Sequence, residues 1–276
     1  MSRHIIIVGA GAAGIIASWR AAHLGARVTV LEKNDRIGIK ILISGGGKCN
    51  ITHAGEVEEL LRAFRPNEAR FLRPSMYRFR SEDILDILRS EALRVYTRPD
   101  GRVFPVEGTA KDVVGILRRK LLDAGVDIRL KAAANGLIAR DGRVVGVKVG
   151  DEALEADAVI VCVGGSSYPA SGTTGDGWTL ARELGHSIVP IHAALAPIDT
   201  DPPPEGLAGV ALRDVVLKAR QSGKEIARWT GDLVFTHRGI SGPCALGVSR
   251  VVAEKMKDGP VTMEVDLLPD SSFEDL

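Results

Sequence analysis

A run of four apolar residues, Ile5-Ile6-Ile7-Val8, passes without a polar break into Gly9-Ala10-Gly11-Ala12-Ala13-Gly14. This junction fits G-x-G-x-x-G at the point where a buried strand turns into a helix, and few folds accommodate it. Each glycine has its own physical task. Gly9 permits the tight turn, Gly11 lets the backbone approach a pyrophosphate, and Gly14 lets helix and strand pack closely. A helix starting near Gly11, with Ala12 and Ala13 in its first turn, directs free N–H groups and its positive dipole end at such phosphates. A second strand, Arg27-Val28-Thr29-Val30-Leu31, delivers Glu32 eighteen residues after the last glycine. A carboxylate there can accept hydrogen bonds from ribose hydroxyls. A helix packed tightly on a strand also favours small residues, so the triplet alone does not separate a nucleotide cradle from a purely structural βαβ unit. Strand, triplet, helix, strand and acid together favour a dinucleotide site.

The 276 residues supply enough material for one large domain or two small ones. With 45% apolar residues, 26% charged residues and a formal net charge of +1, the chain is of the globular class. That balance gives no reason to expect a nucleic-acid or membrane partner. The local exception is Arg62, Arg65, Arg70, Arg73, Arg78 and Arg80. It reads as a solvated helix face, with a dedicated anionic-ligand role as the alternative. The longest apolar runs are too short to span a bilayer. Met1-Ser2-Arg3-His4 leads directly into the first strand, so no signal peptide is expected. Cys49, Cys162 and Cys244 lie too far apart for a C-x-x-C pair or for metal-ligand spacing. No metal site is expected, and a cytoplasmic setting is.

The first unit, strand 4–8, helix 12–25 and strand 27–32, is a right-handed βαβ. Residues 38–50 form a glycine-rich loop, and 58–72 and 81–91 have helical spacing, with Ser81 as a cap. Extended pieces at 94–97 and 102–104 precede a helix over 110–124 capped by Thr109. Residues 126–130 then return as a strand. Strands 137–139, 144–149 and 153–154, with Asp141-Gly142 as a hairpin turn, form an antiparallel meander. Residues 158–163 read as a fully buried strand running into Gly164-Gly165. At the carboxyl edge of an open α/β sheet, that is where ligands bind. A helix over 176–185 follows, with Asp176 as its N-terminal cap. From about Pro190 prolines punctuate the chain and the strands at 207–220, 224–229 and 261–267 look β-rich. A domain boundary is therefore expected near 188–190.

The second informative segment is Ser44-Gly45-Gly46-Gly47-Lys48-Cys49-Asn50. Three successive glycines cannot pack a core and are tolerated where backbone N–H groups or a flat ligand need the space. The spacing is not that of a Walker P-loop. Taken alone, a flexible surface loop explains it equally well.

In order along the chain, GAGAAG, ILISGGGKCNIT, GRVFP, VGGSSYPASGTTGDGWTLARELGH and FTHRGISGP resemble the BaiN-like bacterial flavoproteins, NAD(P)/FAD-dependent or aminoacetone-oxidase-type oxidoreductases. The resemblance runs from residue 4 to about residue 250. It implies an α/β fold: a Rossmann-like, two-dinucleotide-binding FAD domain over residues 1–189, with the meander above. It also implies an inserted β-rich, barrel-like substrate domain over 190–276, incomplete because family members continue and close over the flavin. The implied cofactor is FAD. Gly9, Gly11 and Gly14 would cradle its pyrophosphate, Glu32 its adenosine ribose, and Lys33 and Lys40 a phosphate or ribose. Ser44, Gly45, Gly46, Gly47, Cys49 and Asn50 would lie against the isoalloxazine and ribityl chain. Ala133 would lie near the adenine, with Gly164 and Gly165 near the adenosine-side phosphates. Lys48 stands where the family usually has arginine.

No acid–base residue stands out. Cys49, a thiol beside the flavin loop, is a candidate for redox or covalent chemistry, although a solitary thiol is usually a packing residue. His237, in Thr236-His237-Arg238-Gly239, either faces substrate or hydrogen-bonds within its turn. Tyr168 either positions substrate or covers the cofactor edge. The expected function is that of an FAD-dependent oxidoreductase acting on a small organic substrate. NAD(P)H is a candidate electron donor, although only one dinucleotide fingerprint is present. The alternative is a non-catalytic FAD- or nucleotide-binding module.

Overall fold

The computed structural model describes residues Ser2–Pro269, and the chain divides into two compact units between Ile188 and Val189. In the first unit, β1 (His4–Val8), α1 (Ala12–His23) and β2 (Arg27–Leu31) are followed by α2 (Ile39–Ile43), a 3-10 turn over Ser44–Gly47 and β3 (Thr52–His53). Three helices come next: α3 (Val57–Arg62), α4 (Pro66–Arg78) and α5 (Ser81–Arg89). Then come β4 (Val95–Thr97), β5 (Arg102–Pro105), α6 (Ala110–Asp123) and β6 (Asp127–Arg129). A meander of β7 (Ala134–Arg140), β8 (Arg143–Val149) and β9 (Glu152–Glu155) leads to β10 (Ala158–Val161) and α7 (Asp176–Glu183).

The strands β10-β1-β2-β6 form one parallel sheet in that order. Alternation along β1 explains how it is covered, because successive side chains point to opposite faces. Ile7 packs with Val28 and Val30 of β2 against α1 and α6, whereas Ile6, Val8 and Leu31 pack against Val147 of the meander. Both faces of these two strands are thus dry, at about 1.5–3 kcal/mol for each large aliphatic side chain buried. Helix α6 is pinned at its start: the Thr109 hydroxyl accepts from the Lys111 N–H (3.2 Å) and Asp112 accepts from the Thr109 N–H (2.7 Å).

Four local expectations change. Strand β10 is not fully buried. It is an edge strand, and Ile160 and Val161 are 40% and 39% exposed; an apolar run does not reveal its place in the sheet order. The helix expected over 58–72 divides into α3 and α4, since Pro66 opens a new helix and cannot donate to the preceding turn. The expected loop 38–50 contains α2 and a 3-10 turn. Ser81 is inside α5 rather than its cap; the Asp83 carboxylate takes the Arg80 N–H (2.5 Å), while the Ser81 hydroxyl donates to the His53 carbonyl (2.8 Å).

The second unit contains β11 (Ile198–Asp199), β12 (Ala211–Gln221), β13 (Lys224–Phe235), β14 (Gly239–Ser241), α8 (Gly242–Lys255) and β15 (Thr262–Asp266). Its described strands form one open antiparallel sheet ordered β11-β14-β13-β12-β15. Helix α8 was not expected. Its positions Cys244, Ala245, Val248 and Val252 bury against Val215, Leu217 and Ala219 of β12, a helical spacing meeting a strand alternation. The available signal was Pro243 within the first turn, a favoured helix-start position. Residues 270–276, the end of the expected 190–276 domain, lie outside the described residues.

Candidate functional site

A cavity of about 680 Å³ opens in the first unit at the carboxyl ends of β1 and β2, where open α/β sheets bind ligands. Its polar wall includes Gly9, Gly11, Ala12, Ala13, Glu32, Lys33, Lys40, Ser44, Asn50, Gly164 and Asp176. Its apolar wall comes from Ile41, from Ile84 and Leu88 of α5, and from Val113 and Leu117 of α6. Those helical positions read as ordinary core from sequence, and no local signal marks them as cavity-lining.

The glycine turn is built tightly on one side and left open on the other. A Cβ on Gly14 would overlap the Gly9 carbonyl oxygen, so helix α1 sits as close to the turn as backbone permits. A Cβ on Gly9 would lie 2.6 Å from the Cys162 carbonyl oxygen. At Gly11, in contrast, a Cβ would meet nothing within 4 Å. Gly11 is the N-cap of α1 and no side chain caps that helix. The first-turn N–H groups, which have no intrahelical acceptor, therefore face open space. That arrangement fits an anionic pyrophosphate.

Glu32 is 7% exposed, and its carboxylate is already engaged. Oε2 accepts from the Ala10 N–H (2.8 Å), and Oε1 accepts from the Asn34 N–H (2.9 Å) and from Asn34 Nδ2 (2.6 Å). A carboxylate offers about four acceptor positions, so one remains for a ligand hydroxyl. Glu32 thus clamps the glycine turn to the end of β2 as well as facing the cavity. Asn34, which sequence reasoning passed over, is the third member of that clamp.

Lys33 and Lys40 hold protein groups. Lys33 Nζ donates to Asp176 Oδ2 (2.6 Å) and Thr174 Oγ1 (3.0 Å), and Lys40 Nζ donates to the Ser167 carbonyl (2.9 Å). Asp176 is the first residue of α7 and not its cap, which is Gly175 in a left-handed conformation. Its carboxylate serves the Lys33 pair. The Lys33 ammonium, followed by the Thr174 hydroxyl, holds the Asp176 carboxyl below the usual carboxylate range. The pair ties the end of β2 to the start of α7.

In the second glycine segment, Gly45 and Gly46 take left-handed backbone angles (φ 57° and 66°). Ser44 Oγ is buried with no oxygen or nitrogen partner; only the Cys49 thiol interacts with it, so the hydroxyl keeps capacity for a ligand in the same cavity. Cys49 is 2% exposed and has a positive φ of 62°, uncommon for a residue with a side chain. Burial pushes its thiol upward, away from the reactive thiolate.

The fold therefore brings Gly9, Gly11, Ala12, Ala13, Glu32, Lys33, Lys40, Ser44, Cys49, Asn50 and Gly164 to one cavity. Gly14, Gly45, Gly46, Gly47 and Gly165 are not among its lining residues. Ala133 is exposed, and the neighbouring Ala132 and Ala134 line the wall in its place. Tyr168 is 68% exposed and outside the lining. His237 is exposed in the second unit, where Thr236, not His237, accepts the turn's N–H groups from Arg238 (3.3 Å) and Gly239 (3.1 Å).

Comparison with known proteins matches residues 3–257 to the family described as HI0933-like protein Rossmann domain. The chain is 32% identical to the ribosomal RNA dihydrouridine synthase of Haemophilus influenzae, over 98% of this chain and 65% of that protein. It is 30% identical to the 3-dehydro-bile acid delta(4,6)-reductase of Clostridium scindens, over 96% of this chain and 64% of that protein. The chain thus spans a little under two thirds of the length of these curated relatives. Among solved structures, the open conformation of a flavocytochrome c3 fumarate reductase shares the fold, with a TM-score of 0.52 at 21% identity, covering 77% of this chain and 47% of that one. One relative is named for ribosomal RNA, so the overall charge balance no longer argues against a nucleic-acid partner. Among the described residues, no helix is long and apolar enough to cross a membrane.

Proposed function

The chain belongs to the HI0933-like Rossmann-domain family, and from that premise we propose that it is an FAD-dependent oxidoreductase that saturates a ring carbon–carbon double bond conjugated to a carbonyl. The observation that carries the cofactor is the open, uncapped start of α1 above Gly11, beside a clamped Glu32. The relatives' names support the substrate class. Dihydrouridine is uridine with its ring C5–C6 bond saturated. A delta(4,6)-reductase acting on a 3-oxo steroid likewise saturates bonds conjugated to a carbonyl. Saturating such a bond takes a hydride equivalent at the electron-poor β-carbon and a proton, available from water, at the α-carbon.

Once reduced by its electron donor, bound FAD would supply that hydride equivalent. The chain's own residues hold and shape the site. Gly9 through Ala13 would hold the pyrophosphate, and Glu32 would offer its remaining acceptor position to a ribose hydroxyl. The Lys33–Asp176 pair keeps the start of α7 in place. Ser44 and Asn50 supply polar contacts on the side where the apolar wall of α5 and α6 excludes water. NAD(P)H is the proposed electron donor.

The test is reconstitution with FAD followed by anaerobic reduction with NADH or NADPH, with the flavin absorbance bands as readout. Reoxidation by a cyclic enone and not by its saturated analogue is the expected result. Failure to take up FAD overturns the cofactor. Uptake without turnover of any enone favours the non-catalytic binding module instead.

A further inference from the structure

The segment from Arg62 to Arg80 has a composition that its fold does not use. It contains six arginines and a single acid, Glu68, in a chain whose net charge is only +1. It also contains Phe64, Phe71, Tyr77 and Phe79, a third of the chain's twelve aromatic residues. All four are exposed, at 42%, 82%, 52% and 37%. Aromatic side chains normally supply core or interface area, so four of them left in solvent among arginines need a reason.

Helix α4 sorts these residues by face. Glu68, Ala69, Leu72 and Met76 recur at helical spacing and are half-buried. On the other side Arg70, Phe71, Pro74 and Arg78 are exposed, and no residue of the helix is fully buried. Arg73 and Tyr77 are tied to Glu58 of α3, which fixes the helix without using its outer face. Arg70 and Arg78 have no carboxylate within ion-pair distance among the described residues. The outer face therefore presents a phenyl ring next to the Arg70 guanidinium, with the Arg78 guanidinium about two turns further along, in no ion pair although Asp83 shares its surface cleft.

We propose that this face of α4 is an RNA-docking surface that engages an unpaired stretch of RNA, with a base stacked on Phe71 and phosphates on Arg70 and Arg78. This rests on the enone reading above, of which the uracil ring in RNA is one member. The chemistry selects the partner. A phenyl ring beside cations matches a polymer that alternates flat bases with phosphates. Arginine, used here to the exclusion of lysine, binds phosphate through two N–H groups and stacks on bases. The helix that follows, α5, lines the cavity through Ile84 and Leu88, so an RNA held on α4 lies one element away from the cofactor site in sequence.

Fluorescence anisotropy with a labelled single-stranded RNA of about twenty nucleotides tests this, since about 4–16 nucleotides suffice for one such platform. The full chain is compared with Phe71→Ala and with the Arg70→Ala/Arg78→Ala pair. FAD titration is run on every sample. Phe71→Ala should weaken RNA binding about tenfold. The double variant should flatten the slope of log affinity against log salt by about 1.4. FAD uptake should be unchanged in both, because none of these residues lines the cavity. RNA binding unaffected by either change overturns the proposal. So does wild-type protein that takes up FAD and ignores RNA, a result that leaves the flavoenzyme reading standing. Loss of binding to anionic vesicles alone in the variants overturns it in favour of a membrane surface.

Discussion

Two glycine-rich segments meet at one cavity, and they need glycine in different proportions of space and backbone freedom. In Gly9–Gly14 the requirement is space. At Gly14 a side chain would run into backbone, while at Gly11 it would enter the volume left for a ligand. In Gly45–Gly47 every φ is left-handed; at Gly46 (φ 66°) that is the whole requirement, since a Cβ would meet nothing within 4 Å, whereas one on Gly45 would also lie 2.8 Å from the Asn50 backbone nitrogen. The first segment is braced by a buried carboxylate, with Glu32 taking the Ala10 N–H. The second carries a buried Ser44 hydroxyl whose one neighbour is the thiol of a left-handed Cys49. A braced turn suits the invariant pyrophosphate of a cofactor. A strained loop with an open donor suits contact with the reactive end, where small adjustments tune chemistry.

The largest effect should come from Gly14→Val. Its side chain has only the Gly9 carbonyl and the Cys162 side chain to displace, so α1 must lift off β1. Overpacking of this kind costs about 3 kcal/mol. Thermal unfolding should show a large loss of Tm with or without FAD. Gly11→Val carries the same side chain to a place where it meets nothing, on a backbone (φ −77°, ψ −172°) open to any residue. Its cofactor-free Tm should fall only slightly, by the cost of a poorer N-cap residue, while FAD binding disappears. Equal Tm losses for both variants would break the distinction between packing glycine and ligand glycine.

The first βαβ unit was legible because its signals are local: an apolar strand, a spaced triplet and an acid within one short stretch. The Thr109 cap was legible for the same reason. What could not be read is set by the order of assembly. The exposure of Ile160 and Val161 depends on β10 falling at a sheet edge. The Lys33–Asp176 pair joins residues 143 positions apart, and it turned an expected helix cap into an ion-pair partner. The cavity's apolar wall uses the same periodic positions as any buried helix. Helix α8 lies in a stretch for which the sequence suggested no element, although Pro243 in its first turn is a helix-start signal.

Glu32→Gln sharpens the account of the braced turn. Ala10 and Asn34 present only N–H donors to the carboxylate, so a glutamine must aim its own NH₂ at a donor on one side. The cost should be about 1–3 kcal/mol in the cofactor-free protein, read by thermal or urea unfolding. If the carboxylate acts on ribose alone, FAD affinity will fall with stability untouched. A smaller effect is expected at Gly46→Ala. With no steric conflict, only the left-handed backbone is penalised, at about 1 kcal/mol, and Tm should fall by about 3 °C. A rise in Tm would mean that this loop is not held in the left-handed region when FAD is absent.

The smallest effect, and the one that bears most on the second segment, concerns Cys49. Burial pushes its thiol upward, and no cation or histidine is placed to stabilise a thiolate among the described residues. At neutral pH it should therefore stay protonated, and reaction with iodoacetamide should be slow in the folded protein. All three cysteines should react once the chain is unfolded in urea. Mass mapping of the alkylated peptides separates Cys49 from Cys162 and Cys244, whose thiols are also pushed upward by burial. Since a protonated, buried thiol has nothing to lose, FAD should change the Cys49 rate little. Fast labelling at pH 7 that FAD suppresses would reverse this. It would make the loop an opening segment with an activated nucleophile, and the left-handed backbone at Cys49 would then serve to present the sulfur rather than to fit it into the wall.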